Sequence, residues 1–133
     1  MKHEESRLQQ ACVKWFRLQY PEYNMCLFAI ANGGRRDKIT ASILKGEGVL
    51  PGVADLFLMV ASNGHHGLWI EMKTQKGRQS DTQKIFELTA LKQEYGYAVT
   101  RTLDEFQFAI NDYLCGKPKN NDVLHGHENS GAD

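Results

Sequence analysis

Apolar positions first recur at helical spacing. From about Glu4 to Tyr20, residues Leu8, Ala11, Cys12, Trp15 and Phe16 fall three and four apart, while Gln10, Lys14 and Arg17 take the opposite face. Pro21 stops that helix, because a proline disfavours the helical conformation of the residue before it. Met25–Ala31 (MCLFAIA) is then a continuous apolar run of strand length, ended by Asn32-Gly33-Gly34. It suits a central strand followed by a sharp turn where glycine permits positive φ. A weaker helical pattern leads from Arg35-Arg36-Asp37-Lys38 to Leu44 and Lys45, closed by Gly46 and Gly48. Val53–Val60 and Gly67–Thr74 are two further apolar runs, and the polar residues Ser62–His66 between them predict a paired hairpin with His65 and His66 on its surface.

The last third of the pattern is helix, strand, helix. Ser80-Asp81-Thr82-Gln83 is a capping box; Ile85, Leu88, Thr89 and Tyr95 supply an apolar face and Gly96 a stop. Tyr97–Arg101 is a short strand. Thr102-Leu103-Asp104-Glu105 is a second capping box, opening a helix with the face Phe106, Ala109, Ile110, Tyr113 and Leu114. The order is α-β-(short α)-β-β-α-β-α. Strands joined by a tight turn are antiparallel and those flanking helices can run parallel, so an α/β fold with a mixed sheet flanked by helices follows. Beyond Gly116 aromatic residues cease and Asn, Gly and Asp accumulate. Residues 1–116 are therefore expected to form one domain and 117–133 a disordered tail that includes His125 and His127.

Charge changes the picture at three places. Asp55 lies early in the first hairpin run; Glu71 and Lys73 lie late in the second. An unpaired charge in a buried strand is costly, so these three need a reason. Strand residues alternate faces, which puts Glu71 and Lys73 with Trp69, and Asp55 with Phe57 and Met59. Whether the two sets meet depends on hairpin register. A two-residue Asn63-Gly64 turn would pair Asp55 with Met72; convergence requires an odd loop or a bulge around Ser62–His66. If they converge, two carboxylates side by side repel unless a cation lies between them. Hard oxygen donors favour Mg²⁺ or Mn²⁺ over zinc, and Lys73 could orient an attacking water or stabilise a developing oxyanion. The alternative is a Glu71–Lys73 surface ion pair and a polar residue at a strand start. In the first helix, both Glu4 and Glu5 fall on or beside the apolar stripe; an inward acid there, or one that only complements the helix dipole, are both open.

Composition limits the partners. Lys plus Arg equals Asp plus Glu, so there is no global basic field and a polyanion site must be a local patch. Arg35, Arg36, Lys38 and Lys45 against Asp37 form one candidate, readable as a solvated loop or as phosphate contacts. Cys12, Cys26 and Cys115 show no zinc-site spacing, and Cys12 and Cys26 read as reduced core packing. With no long apolar run and no signal-like N-terminus, a soluble cytoplasmic protein without membrane contact is expected.

The motifs Pro51-Gly52-Val53-Ala54-Asp55-Leu56-Phe57-Leu58, Gly67-Leu68-Trp69-Ile70-Glu71-Met72-Lys73, Gly77-Arg78-Gln79-Ser80 and Gln83 resemble the VRR-NUC (virus-type replication–repair nuclease) family of PD-(D/E)xK nucleases. Glu5-Ser6-Arg7-Leu8-Gln9, Asn32-Gly33-Gly34-Arg35-Arg36, Lys45-Gly46-Glu47-Gly48 and Gly96-Tyr97 extend the similarity to most of residues 5–114. One departure is Ala54, where the family usually has proline; looser local geometry with the chemistry intact is expected. The resemblance implies a restriction-endonuclease-like PD-(D/E)xK core (αβββαβ). In it Asp55 and Glu71 would bind Mg²⁺ or Mn²⁺ with the Met72 carbonyl nearby, Glu5 would be the first-helix acid of that metal site, and Lys73 would assist the water. Gln83 would match an active-site glutamine as well as a helix cap. Asn32, Arg35, Arg36, Lys38, Lys45, Lys76 and Arg78 would contact DNA phosphates. The implied activity is a structure-selective DNA endonuclease, resembling the short viral-type members that resolve Holliday junctions as homodimers. A flap, replication-fork or restriction-like nuclease is an alternative, and a catalytically silent DNA-binding subunit of a replication or repair assembly is another.

Overall fold

A computed structural model of the chain describes residues 2–31 and 38–116. The expected turn at Asn32-Gly33-Gly34, the basic residues Arg35 and Arg36, and the tail from 117 lie outside the described residues. Helix α1 spans Lys2–Gln19, and a short 3-10 turn, Pro21–Tyr23, leads to strand β1, Leu27–Ala29. Helix α2 spans Lys38–Gly46, strand β2 Leu56–Leu58 and strand β3 Leu68–Met72. Helix α3 spans Asp81–Lys92, strand β4 Gly96–Thr100 and helix α4 Leu103–Leu114. The four strands lie in sequence order, β1-β2-β3-β4. The first two pairings are antiparallel and the third is parallel, an open mixed sheet. None of the helices among the described residues is long and apolar enough to cross a membrane.

The sheet has two unlike faces. On one, Leu56, Leu58, Leu68, Ile70 and Met72 are buried against Cys12 and Phe16 of α1 and Phe106, Ile110, Tyr113 and Leu114 of α4. Trp15 meets Phe106 edge-on at 6.1 Å, tying the two helices together. Each such fully buried side chain contributes about 1.5–3 kcal/mol, so this face holds the fold. Burial also pushes the Cys12 thiol up to about 12, leaving it inert packing; all three cysteines are free. On the other face, register places Phe28, Phe57, Trp69 and Tyr97 in one row across all four strands. Phe86 of α3 closes on this row, 5.1 Å from Trp69 and 6.2 Å from Tyr97.

The hairpin answers the question of register. Leu56 pairs with Ile70 and Leu58 with Leu68, so Asp55 falls opposite Glu71 one step further on. Its tip is nonetheless a two-residue turn. Ser62 bridges His65 around Asn63 and Gly64, whose φ of 53° and 76° are the positive values a type I′ turn requires. Continued unbroken, that turn would set Asp55 against Met72. Instead three residues, 59–61, oppose two, 66 and 67, and this bulge moves the ladder by one. The tip is pinned to the end of α4. Ser62 Oγ donates to the Tyr113 carbonyl at 2.6 Å, and Asn63 Nδ2 donates to the Asp112 and Tyr113 carbonyls at 3.2 and 3.1 Å. The hairpin thereby satisfies carbonyls that a helix end leaves unpaired.

Several expectations need correction. The Met25–Ala31 run is an edge strand of three residues, not a central one, and only Leu27 is buried in it. A helix connects it to β2, yet the two pair antiparallel. Ile85 and Leu88 are 63% and 61% exposed, so they are not the packed face of α3. That helix sits beside the sheet with Phe86 and Ala90 turned inward. Its stop is not Gly96, which is the first residue of β4. Glu94 takes the left-handed position at φ 68°, with Glu94 N–H donating to the Leu91 carbonyl and Tyr95 N–H to that of Ala90, a Schellman motif without glycine. At α4, Thr102 caps as expected, but Glu105 reaches back to the Arg101 amide at 2.7 Å instead of completing the box. His66 is exposed, whereas His65 is half-buried and stacks on Tyr113 at 6.4 Å.

Pro51-Gly52 leads into β2 by passing against the first turn of α3. Gly52 has φ +95°, and a Cβ there would lie 2.5 Å from the Thr82 carbonyl oxygen. Gly52→Ala should destabilise the fold by about 2–4 kcal/mol, combining left-handed strain with a backbone clash. Gly46→Ala, where nothing lies within 4 Å of the new atom, should instead stabilise by roughly 0.5 kcal/mol. Urea denaturation of the two variants checks both signs.

Candidate active site

The site forms where β2 runs out. Ile30 N–H donates to the Asp55 carbonyl, continuing the β1 side, but the regular β2 ladder begins only at Leu56. Met72 N–H points toward β2 and would lack an acceptor there; the Asp55 carboxylate supplies one, Oδ2 at 2.7 Å. Amide and carbonyl of one strand residue point to the same side, so the Met72 carbonyl is directed toward Asp55 as well. Ala54, at 1% exposure, anchors the entry to the strand from the core side.

Glu71 is completely buried and its two oxygens live in different surroundings. Oε1 accepts from the Tyr97 hydroxyl at 2.6 Å and from Gln79 Nε2 at 2.9 Å. Oε2 is buried and has no hydrogen bond among the described residues. Lys73 Nζ lies 3.6 Å from it, beyond hydrogen-bonding distance, with its side chain 12% exposed. Lys73 is held one residue past β3 by its own amide, which donates to the Thr100 carbonyl at 3.0 Å.

Electrostatics bind the remaining members to this pair. The Asp55 carboxyl is raised above the usual range chiefly by burial. The Met72 amide opposes that shift, the charges of Glu5 and Glu71 add to it, and Lys73 lowers it. Glu5 is half-buried while Glu4 is exposed, which separates two acids that helical periodicity leaves together. Glu4 borders a different cavity, with Leu8, Thr74, Gln75, Lys76 and Arg101. Burial, then the hydrogen bond to Glu71, pushes the Tyr97 hydroxyl far up, so it stays protonated and donates.

Asp55, Glu71, Lys73, Met72 and Glu5 are thus brought to one end of the sheet. Gln83 completes the capping box instead: its Oε1 accepts from Ser80 N–H at 2.8 Å, and Ser80 Oγ accepts from Gln83 N–H at 3.2 Å. The glutamine that reaches Glu71 is Gln79, which also donates to Glu87 Oε1 at 2.8 Å. Gln79 and Tyr97 stand in motifs quoted above without any role at the site, and Arg101 is read there only as a strand end. The role of Tyr97 could have been found from parallel pairing of β4 beside Trp69; that of Gln79 has no signal beyond its place in the Gly77-Arg78-Gln79-Ser80 motif before a helix cap. Arg101 Nη1 donates to the Thr74 and Gly77 carbonyls at 2.8 and 2.6 Å, holding the loop that presents Lys76 and Arg78 exposed. Lys38 and Lys45 are exposed at the two ends of α2.

The donor set suits a divalent cation of the Mg²⁺ type. Among the described residues there is no group of three or more His, Cys, Asp or Glu able to hold a metal. Mg²⁺ is commonly held by one or two carboxylates with the rest of its shell water and substrate phosphate. Two carboxylates, one with a buried oxygen lacking a hydrogen bond among the described residues, meet that requirement, and the Glu5 charge acts on Asp55.

Neither a family model nor a curated protein matches this chain. A solved structure described as "VRR_NUC domain protein" does, with a TM-score of 0.72 over 83% of this chain and 87% of its own, at 23% identity. The fold is a restriction-endonuclease-like core. At that identity the likeness speaks for the architecture.

Raising the Asp55 carboxyl has a stability consequence. The folded state binds this proton more tightly than the unfolded state, so the group's contribution falls as pH rises from the ordinary carboxylate range through the raised value. Asp55→Asn keeps an acceptor for Met72 N–H and removes the charge. In EDTA its melting temperature at neutral pH should exceed that of the wild type, with the difference vanishing near about pH 3, below the ordinary aspartate pKa. Thermal melts across pH check this.

Proposed function

We propose that the protein is a metal-dependent, structure-selective DNA endonuclease of the PD-(D/E)xK type that hydrolyses phosphodiester bonds, most like a Holliday-junction resolvase. One observation carries the reading: the buried, unbonded Glu71 Oε2 with Lys73 Nζ 3.6 Å away, at the strand end where Asp55 comes opposite. Asp55, Glu71 and the Met72 carbonyl would hold Mg²⁺ or Mn²⁺, with Glu5, whose charge acts on Asp55, as a further acid of the metal site. Such an ion lowers the pKa of water and neutralises charge building on the phosphate. Lys73, largely withdrawn from solvent, orients the attacking water and donates to the oxygen on which charge develops. The aromatic row Phe57, Trp69 and Tyr97 walls the acids from one side.

Lys76 and Arg78 on the loop held by Arg101, with Lys38 and Lys45 on α2, grip the phosphate backbone without reading bases. Asn32, Arg35 and Arg36 belong to the same proposal, although they lie outside the described residues. Gln83 serves as a cap at the edge of this surface. One site makes one nick, so symmetric resolution of a four-way junction requires two copies, and we propose a homodimer.

Labelled four-way junction, flap, linear duplex and single strand, each incubated with Mg²⁺, Mn²⁺ or EDTA, test the reading. Paired symmetric nicks confined to the junction are expected with metal and none in EDTA, while Glu71→Gln and Glu71→Ala should lose more than about 100-fold in rate. Absence of metal-dependent cleavage on every substrate would sink the proposal, and a monomer by light scattering at micromolar concentration would overturn its junction-resolving form. Replacing Lys76 or Arg78 by alanine should weaken junction binding for all sequences alike. It should also flatten the dependence of log K on log salt by about 0.9 for each phosphate that is no longer neutralised.

A further inference from the structure

We infer that Tyr97 and Gln79, the latter steadied by Glu87, are positioning residues that hold one oxygen of Glu71 so that the other is presented, uncommitted, to a divalent cation. The inference rests on the nuclease reading above, but its argument comes from the two sides of one carboxylate. Oε1 receives both donors and Oε2 none, in a residue with no exposure to water. A buried carboxylate whose only task was to be satisfied would share its donors between both oxygens, since each has two acceptor sites.

Both donors are neutral. An arginine or lysine bonded to Oε1 would discharge the carboxylate and compete with a cation; a phenol and an amide fix its orientation and leave its charge available. Each donor is itself fixed. Tyr97 stands on β4, which is hydrogen-bonded in parallel register to the strand that carries Glu71, and its ring rests 6.2 Å from that of Phe86. Gln79 Nε2 gives a second bond to Glu87 Oε1. Because an ionised carboxylate can only accept, Glu71 and Glu87 together dictate which end of the amide faces inward. Glu87, half-buried on α3, therefore acts on the site through Gln79 and not by contact with the reacting groups.

Tyr97→Phe and Gln79→Met each remove one donor with little change of shape. Binding of Mn²⁺ to the full chain, followed by the loss of the free-ion EPR signal, should weaken by about 10- to 100-fold in either variant. Glu87→Leu should show a smaller loss in the same direction. Melting temperatures in EDTA supply the second readout, with Tyr20→Phe as a control; that hydroxyl donates to Asn111 Oδ1, joining the segment after α1 to α4 away from the site. The control should lose stability and keep its Mn²⁺ affinity, whereas Tyr97→Phe should lose Mn²⁺ affinity beyond what its own loss of stability accounts for. If wild type and both donor variants bind Mn²⁺ equally well, the positioning role is overturned while the nuclease reading stands. A loss of affinity that merely tracks a loss of folding in EDTA would also overturn it. Should the wild type take up no Mn²⁺, the metal reading falls and takes this inference with it. Should Tyr97→Phe fail to fold, Gln79→Met, on a partly exposed residue before the α3 cap, decides the matter alone.

Discussion

Everything at the site depends on the extra residue between Leu58 and Ser62. Side chains along a strand alternate faces, so a slip of one residue would exchange the acid face of one strand for its apolar face. Asp55 would then look at Met72, and the charge on Glu71 would lose its neighbour across the ladder. Two local preferences conflict here: Asn63-Gly64 favours a two-residue turn, and the buried pattern of β2 and β3 demands the other parity. The bulge satisfies both. It is backed from a distance, since Ser62 and Asn63 bond the last carbonyls of α4, some fifty residues later in the chain. The C-terminal helix therefore helps to set the register of an acidic pair at the opposite end of the hairpin.

The same alternation explains how one short sheet can be both a scaffold and a reactive surface. Its even-numbered positions in β2 and β3 belong to the core shared with α1 and α4, and its odd-numbered ones carry first an aromatic row and then the acids. One face supplies stability and the other consumes part of it. Burying Glu71 with an unbonded oxygen, and raising the Asp55 carboxyl by burial beside two other acids, both act against folding. Such local cost is characteristic of sites shaped for something other than stability.

What the sequence made legible was what short-range physics decides. Element order, the Ser80 box, the Thr102 cap and the core face of α4 follow from residues within one or two turns of each other, and they stand in the structure as read. Asp55, Glu71 and Lys73 stood out because charge interrupts apolar text. What escaped depends on neighbours far along the chain. A run like MCLFAIA looks buried on both sides, but β1 is the edge of the sheet and only Leu27 goes inward. Ile85 and Leu88 look like a packed face, yet α3 turns Phe86 toward Trp69 and leaves them in solvent, because an aromatic row on the sheet offers Phe86 the better contact. Tyr97 and Gln79 join Glu71 through pairing of β4 and through the path of the loop after β3, neither of which has a local signature.

That loop also bears on how a chain of zero net charge could present the polyanion-binding surface proposed above. Arg101 directs its charge inward: one guanidinium nitrogen gathers the carbonyls of Thr74 and Gly77, closing the loop as a backbone acceptor cluster would close around a cation. Lys76 and Arg78 are thereby left outward and exposed on that loop. Positive charge held at the rim and negative charge held at the base of the same strand end is the arrangement a phosphodiester needs, since its backbone must be attracted while its scissile phosphate meets carboxylates. On the nuclease reading proposed above, separation of the two signs, more than the presence of either, is what would suit this surface to a nucleic acid.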